Sequence, residues 1–182
     1  MKDKVVDIKM SALKNMHVFL KEVPLEKRGP FIKYIVQTFD EATKAEWRLK
    51  QILANNLGNY AELFDPNTVY TEFLPMFFKF CSDSVIRVNH ACTPALANII
   101  EKFNDDENKQ AIIVKIVKKK FMNAKTYKKR QLFAMMMVQM MQKKEVFAKY
   151  FKHDFLLYVN DRVINVRICM AKTLRHHFVK EI

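Results

Sequence analysis

One short motif returns five times along this chain of 182 residues. Asp3-Lys4-Val5-Val6-Asp7, Trp47-Arg48-Leu49-Lys50, Asp83-Ser84-Val85-Ile86-Arg87, Tyr127-Lys128-Lys129-Arg130 and Asp161-Arg162-Val163-Ile164-Asn165-Val166-Arg167 can be superposed, and each opens an amphipathic run of helix length. Aligned on Asp7, Lys50, Arg87, Arg130 and Arg167, the intervals are 43, 37, 43 and 37 residues. A return at about 40 residues, with two helical patterns per return, constrains the chain to stacked helical hairpins. Arrays of that kind bury a continuous core between neighbours and present extended surfaces for binding.

The spacing predicts an all-α superhelix, a HEAT/armadillo-like solenoid of about four and a half hairpin repeats. It forms a single array over 1–182: a half repeat at 1–22, then repeats at 25–63, 66–103, 105–142 and 144–182. Nine helices are expected, at 4–21, 26–40 with 44–63, 67–81 with 84–103, 106–122 with 125–142, and 144–159 with 162–181. Two glycines and five prolines are too few for an all-β chain. Asp65-Pro66 reads as a capping Asp with Pro in the first helical position, and Asp105-Asp106 as a second cap. Pro30 and Pro75 should each bend a first-helix. Pro94 falls inside a second-helix without an evident reason. Ala54, Ala91, Ala134 and Ala171, four residues after each basic anchor, should let helices approach closely, with Leu57, Met137 and Leu174 three residues further along the same face. Met135 to Met141 is apolar nearly all round, as expected of a helix packed on both sides. The opening half repeat and the closing helix both suggest a piece of a longer solenoid.

Function classes narrow by exclusion. No run of 18 apolar residues predicts a membrane span. No leader pattern opens the chain, and Cys81, Cys92 and Cys169 are odd in number and lack metal-site spacing, which suits a reducing compartment and a cytoplasmic or nuclear location. The chain contains no GxGxxG, phosphate loop, HExxH, GxSxG or CxxC. His176-His177 is a poor metal clip, because adjacent helical residues point apart. His17, His90 and His153 are isolated. A non-enzymatic protein without cofactor or metal is expected.

Two surfaces stand out. The formal net charge is +13, of which residues 92–182 carry +11. The run Lys115, Lys118, Lys119, Lys120, Lys125, Lys128, Lys129 and Arg130 concentrates it, either as a solvated helix face or as a contact for an acidic protein or nucleic acid. Tyr127 is the one aromatic inside that run. The only tryptophan, Trp47, sits beside Arg48 at a helix–helix turn, off any apolar stripe. A large rigid ring next to a planar charged donor is the makings of an interface anchor.

Order and spacing of these turns resemble the scaffold (A) subunit of protein phosphatase 2A and the related regulatory subunits of protein phosphatase 4. Ala45-Glu46-Trp47-Arg48-Leu49-Lys50 is similar to the scaffold's Lys-Trp-Arg-Val-Arg turn. Tyr127-Lys128-Lys129-Arg130 is similar to its Tyr-x-x-Arg turn two repeats later. Asp161 to Arg167, followed by Ala171-Lys172-Thr173-Leu174, is similar to the turn after that. Ser84, Glu46 and Arg162 replace a Tyr, a Lys and a Pro of the pattern. The resemblance implies a non-catalytic scaffold or regulatory segment that holds a serine/threonine phosphatase catalytic subunit on its intra-repeat turns. Trp47 and Arg48 would be central, with Lys50, Arg87, Tyr127, Arg130, Val163 and Ile164 on the same edge. The alternative is a partner-binding patch at Lys115, Lys118, Lys119, Lys128 and Lys129 for nucleic acid or another acidic partner. A helical-repeat enzyme acting on bases is a third reading.

Overall fold

The computed structural model describes the backbone of residues 2–43 and 45–179, and side chains for 7–43 and 45–175. The Asp3–Val6 part of the first motif and His176-His177 therefore lie outside the described side chains. All secondary structure among the described residues is helical, and the fold class is the all-α helical-repeat solenoid. Two compact units are distinguished, Met1–Lys102 and Phe103–Ile182.

In the first unit, α1 (Lys2–Glu22) precedes two hairpins. The first pairs α2 (Gly29–Glu41) with α3 (Trp47–Leu63). The second pairs α4, the continuous helical stretch 66–81, with a broken helix made of α5 (Ile86–Ala91) and α6 (Ala95–Glu101). The second-helices form the packed layer, with α3 lying against α1 on one side and α5 and α6 on the other. Asn56 Nδ2 and Tyr60 Oη, one turn apart on α3, both donate to the Leu13 carbonyl of α1, at 3.2 and 3.3 Å. Leu13, Leu53, Leu57, Phe73, Phe77, Phe80 and Leu96 fill the core of this unit.

The second unit holds two further hairpins. Helical stretch 107–122 (α7) pairs with α8 (Tyr127–Met140), and α9 (Lys144–Tyr150) with α10 (Lys152–Tyr158) precedes α11 (Ile164–Val179). The dominant packing is α8 against α11. Met136, Met137, Val138 and Met140 are fully buried and Met135, Gln139 and Met141 half-buried, as an all-round apolar helix requires.

The prolines act differently from one another. Pro30 lies in the first turn of α2 behind a 3-10 turn, Leu25–Lys27, so it starts the helix and does not bend it. Pro75 follows a π turn, Val69–Phe73. The wider turn accommodates a residue with no N–H to return to the previous turn. Pro94 interrupts the helix between α5 and α6. The His90 carbonyl it would have capped is taken by Thr93 N at 3.2 Å and Thr93 Oγ1 at 2.9 Å. Both Asp caps form: Asp65 accepts from Thr68 N and Asp106 from Lys109 N, each at 3.0 Å. A hydrogen bond from the Thr68 hydroxyl helps hold the Asp65 carboxyl below its usual pKa.

The repeat register differs from the one read in the sequence. Asp83 and Asp161 make the same local turn, each Oδ1 accepting at 2.8 Å from the N–H two residues on. The residue six after each returns to its carbonyl: Asn89 Nδ2 at 2.9 Å and Arg167 Nη1 at 2.6 Å. Asn89, not Arg87, is thus the equivalent of Lys50, Arg130 and Arg167, and the intervals become 39, 41 and 37 residues. Asn89, Arg130 and Arg167 share a reach to the carbonyl six residues back, which charge alone does not reveal. In the corrected register Thr93, buried, replaces the half-buried Ala91 on the packing face, and Leu96, also buried, joins Leu57 and Met137. Ala54 and Ala134 are buried as expected, but Ala171 is exposed.

Gly58, in the middle of α3, is set by packing. A Cβ there would stand 3.0 Å from Asn98 Nδ2 and 3.2 Å from Ala95 Cα. Glycine costs about 1 kcal/mol in a helix interior relative to alanine, and here it permits α3 and α6 to touch. Gly58→Val is expected to lower stability by about 2 kcal/mol through overpacking, read as a drop in the midpoint of thermal or urea unfolding.

Candidate functional site: the starts of the second-helices

Each second-helix of a hairpin begins with a bulky side chain. Trp47, Ile86, Tyr127 and Ile164 are the first residues of α3, α5, α8 and α11. Trp47 is half-buried, whereas Ile86, Tyr127 and Ile164 are 58%, 40% and 57% exposed. Three residues on stand Lys50, Asn89, Arg130 and Arg167, of which Asn89 and Arg167 make the backbone ties described above. The same short segment therefore splits its work. Its first residue faces outward and its fourth ties the turn down.

That division corrects two sequence expectations. Arg130 is only 6% exposed. Its guanidinium donates to Asp161 Oδ2 at 2.9 Å and Oδ1 at 3.2 Å, and to the carbonyls of Ala124 at 3.0 Å and Lys125 at 3.3 Å. All of its reach is spent inside the unit, so it is a structural tie and not a contact residue. Lys50 is also largely covered and pairs with Asp83 at 3.6 Å. Burial pushes the Asp161 carboxyl up, but the hydrogen bonds from Arg130 and Val163 N–H and the Arg130 charge outweigh it. Its pKa is held below the ordinary carboxylate value.

The remaining residues gather by unit. In the first, the Arg48 guanidinium lies 4.8 Å and that of Arg87 5.6 Å from the Trp47 ring centroid. Both arginines are exposed, and they come from consecutive hairpins. Trp47 lies at the turn as the sequence suggests, half-buried, with its indole flanked by two cations. Glu46 is turned inward on the connection, accepting from Thr43 N and Thr43 Oγ1 at 3.0 Å each. Those bonds lower its pKa. Ile86, the exposed neighbour of Arg87, was missed because the two-residue slip in register hid its equivalence to Trp47. In the second unit Tyr127, Lys128 and Lys129 are exposed side by side, Val163 is half-buried, and Ile164 is exposed.

The lysine run does not form one uniform face. Lys118 turns to Asp154, at 2.7 Å, and its ammonium stands 5.7 Å from the Phe151 ring centroid. It is therefore a tie between hairpins, contrary to its expected place in a partner patch. Lys115, Lys119, Lys128 and Lys129 are exposed.

Little else among the described residues suggests chemistry. No group of three or more His, Cys, Asp or Glu could hold a metal ion, and no helix is long and apolar enough to cross a membrane. Cys81 and Cys92, on the two arms of one hairpin, are brought to 3.3 Å between sulfurs in the core, and burial raises the Cys81 thiol pKa. An open groove of about 760 Å³ beside α2, lined by Ile32, Val36, Asp40 and Glu72 among others, contains none of the expected site residues.

Comparison with known proteins bears on this edge. The chain is 24% identical over 181 residues to serine/threonine-protein phosphatase 4 regulatory subunit 1 of Homo sapiens, and equally to that of Mus musculus and Rattus norvegicus. The match covers 96% of this chain and 19% of each relative. The chain thus spans about a fifth of the length of the curated relatives it matches. No family model and no solved structure matches. The similarity runs through every hairpin and falls on regulatory subunits.

Arg130→Met is expected to cost about 3 kcal/mol of stability, because it leaves a largely buried carboxylate unpaired. Arg48→Ala, at an exposed position, should cost less than about 0.5 kcal/mol. With its folded pKa below the unfolded value of about 3.9, Asp161 contributes fully above that pH and loses its contribution as pH falls through the folded pKa. Asp161→Asn should accordingly flatten the acid limb of a stability–pH profile measured by chemical unfolding.

Proposed function

We propose that this chain is a non-catalytic segment of a protein phosphatase regulatory subunit, of the protein phosphatase 4 type, that docks the phosphatase catalytic subunit on the starts of its second-helices. The observation that carries the reading is the cluster of Trp47, Arg48 and Arg87. A half-covered indole with two exposed guanidiniums offers apolar area, planar hydrogen-bond donors and positive charge within one patch. Ile86 extends the apolar part. The similarity to protein phosphatase 4 regulatory subunits supports the choice of partner, and favours that branch over the phosphatase 2A scaffold.

The mechanism is positional. Helical hairpins ordered by internal ties hold these side chains in place before the partner arrives, so little conformational entropy is lost on docking. Catalytic groups and their metals belong to the phosphatase. The regulatory segment contributes orientation, bringing the enzyme to whatever other repeats recognise.

Calorimetry between the chain and the protein phosphatase 4 catalytic subunit tests this directly. Trp47→Ala and Arg48→Ala should each weaken binding by about 2 kcal/mol or more, with unfolding midpoints little changed. Unaltered affinity in both variants would discard the site. Absence of any complex with the unmodified chain would discard the function.

A further inference from the structure

We propose that the turn of the third hairpin is a second docking surface, whose occupant is a segment of a partner protein rich in aspartate and glutamate. The proposal stands on observations separate from the Trp47 cluster and does not depend on the phosphatase reading.

Three elements contribute. Lys115 and Lys119 project from helical stretch 107–122, Lys125 from the connection, and Lys128 and Lys129 from the first turn of α8. All five are exposed, and no ion pair to any of them occurs among the described residues. Two carboxylates tied to these elements are already engaged. Asp154 is held by Lys118, and Asp161 by Arg130 and the Val163 N–H. These five ammonium groups are therefore left for an acidic group from outside the chain.

The arrangement carries a standing cost. Lys128 and Lys129 sit at the positive end of a helix dipole, where acidic residues would be favoured. The first turn of α8 holds no acidic residue. The run is also set on an irregular backbone: Lys118 to Met122 form a π turn with no proline to explain it. Such turns recur where a helix is adapted to a function. Here Lys118 is directed inward to Asp154 while Lys119 remains exposed.

An acidic peptide fits better than nucleic acid. Single strands are held by successive aromatic platforms, and this surface has one exposed ring, Tyr127. A flexible peptide can place carboxylates on lysines from separate elements and lay one apolar side chain against the Tyr127 ring.

Fluorescence anisotropy of the whole chain tests the proposal, using a labelled decapeptide of Glu and Asp with a central Leu. Its Gln/Asn counterpart and labelled single-stranded and duplex 20-mers serve as comparators. The acidic decapeptide should bind saturably and lose affinity as salt rises from about 50 to about 300 mM. Lys128→Glu with Lys129→Glu should reduce affinity at least tenfold, and Tyr127→Ala, which leaves charge unchanged, at least threefold. Lys14→Glu with Lys21→Glu, an equal charge change on α1, should leave it within twofold, as should Trp47→Ala. An equal loss from the α1 variant would mean diffuse attraction and overturn the site. So would equal binding of the Gln/Asn decapeptide, absence of saturation, or tighter binding of either oligonucleotide. Loss through Trp47→Ala would merge this surface with the phosphatase-docking site and refute its independence.

Discussion

The structure depends on one recurrent link. At the start of a second-helix a basic side chain reaches across to an aspartate that opens the next turn: Lys50 to Asp83 in one unit, Arg130 to Asp161 in the other. The aspartate in turn orders its own connection by accepting from the N–H two residues on. Each link therefore fixes two turns at once. Hydrophobic burial brings helices together but is indifferent to small slides along their axes. A directional, largely buried ion pair is not, and leaving one partner unmatched costs several kcal/mol. Bulky first residues such as Ile86 and Ile164 can stay exposed because the turn beneath them is held by other means.

The two layers of helix are specified differently. Both layers contribute to the core, but the second-helices require fine fitting, down to the missing side chain of Gly58 against Ala95. First-helices tolerate irregularity. Both π turns fall in them, within 66–81 and 107–122, and α9 and α10 are separated at Phe151. A fault in a first-helix is absorbed locally, whereas one in a second-helix is felt on both sides. Pro94 breaks a second-helix, and it is accommodated by a threonine that satisfies the abandoned carbonyl with both its backbone and its hydroxyl.

Much of this was legible in the residues. Apolar periodicity and the Asp65 and Asp106 caps placed the helices to within a few positions, because these are local signals with local causes. Register was not, since it depends on what a side chain reaches. Arg87 looked like an anchor by charge, but Asn89 occupies the anchor position, and Arg87 is released to lie over Trp47. The same blindness affected the candidate site. Sequence distinguishes basic residues from apolar ones, but not a spent guanidinium such as Arg130 from an available one such as Arg48. Nor could spacing reveal that Lys118 is committed to Asp154 while Lys119, one residue on, is not. The proximity of Cys81 to Cys92 has the same origin, as it arises only when the end of α4 meets the end of α5.

The exposed edge is best understood against the stability it forgoes. Negative residues at a helix start and positive ones at its end each contribute about 0.3–1 kcal/mol. Three of the four second-helices, α3, α5 and α8, reverse this. None of α3, α5, α8 or α11 has an acidic residue in its first turn, while Arg48, Arg87, Lys128 and Lys129 stand there exposed. Core packing does not demand these cations, for all four are exposed. Nor does solubility explain them, because acidic residues would serve it equally and improve the helices. Local sequence preference and observed sequence disagree at the same position in successive repeats, and such disagreements mark places where something other than the fold sets the residue. In the first unit Arg48 and Arg87 are set against the Trp47 ring, and in the second Lys128 and Lys129 follow directly on Tyr127, so each unit by itself joins cations to an aromatic first residue.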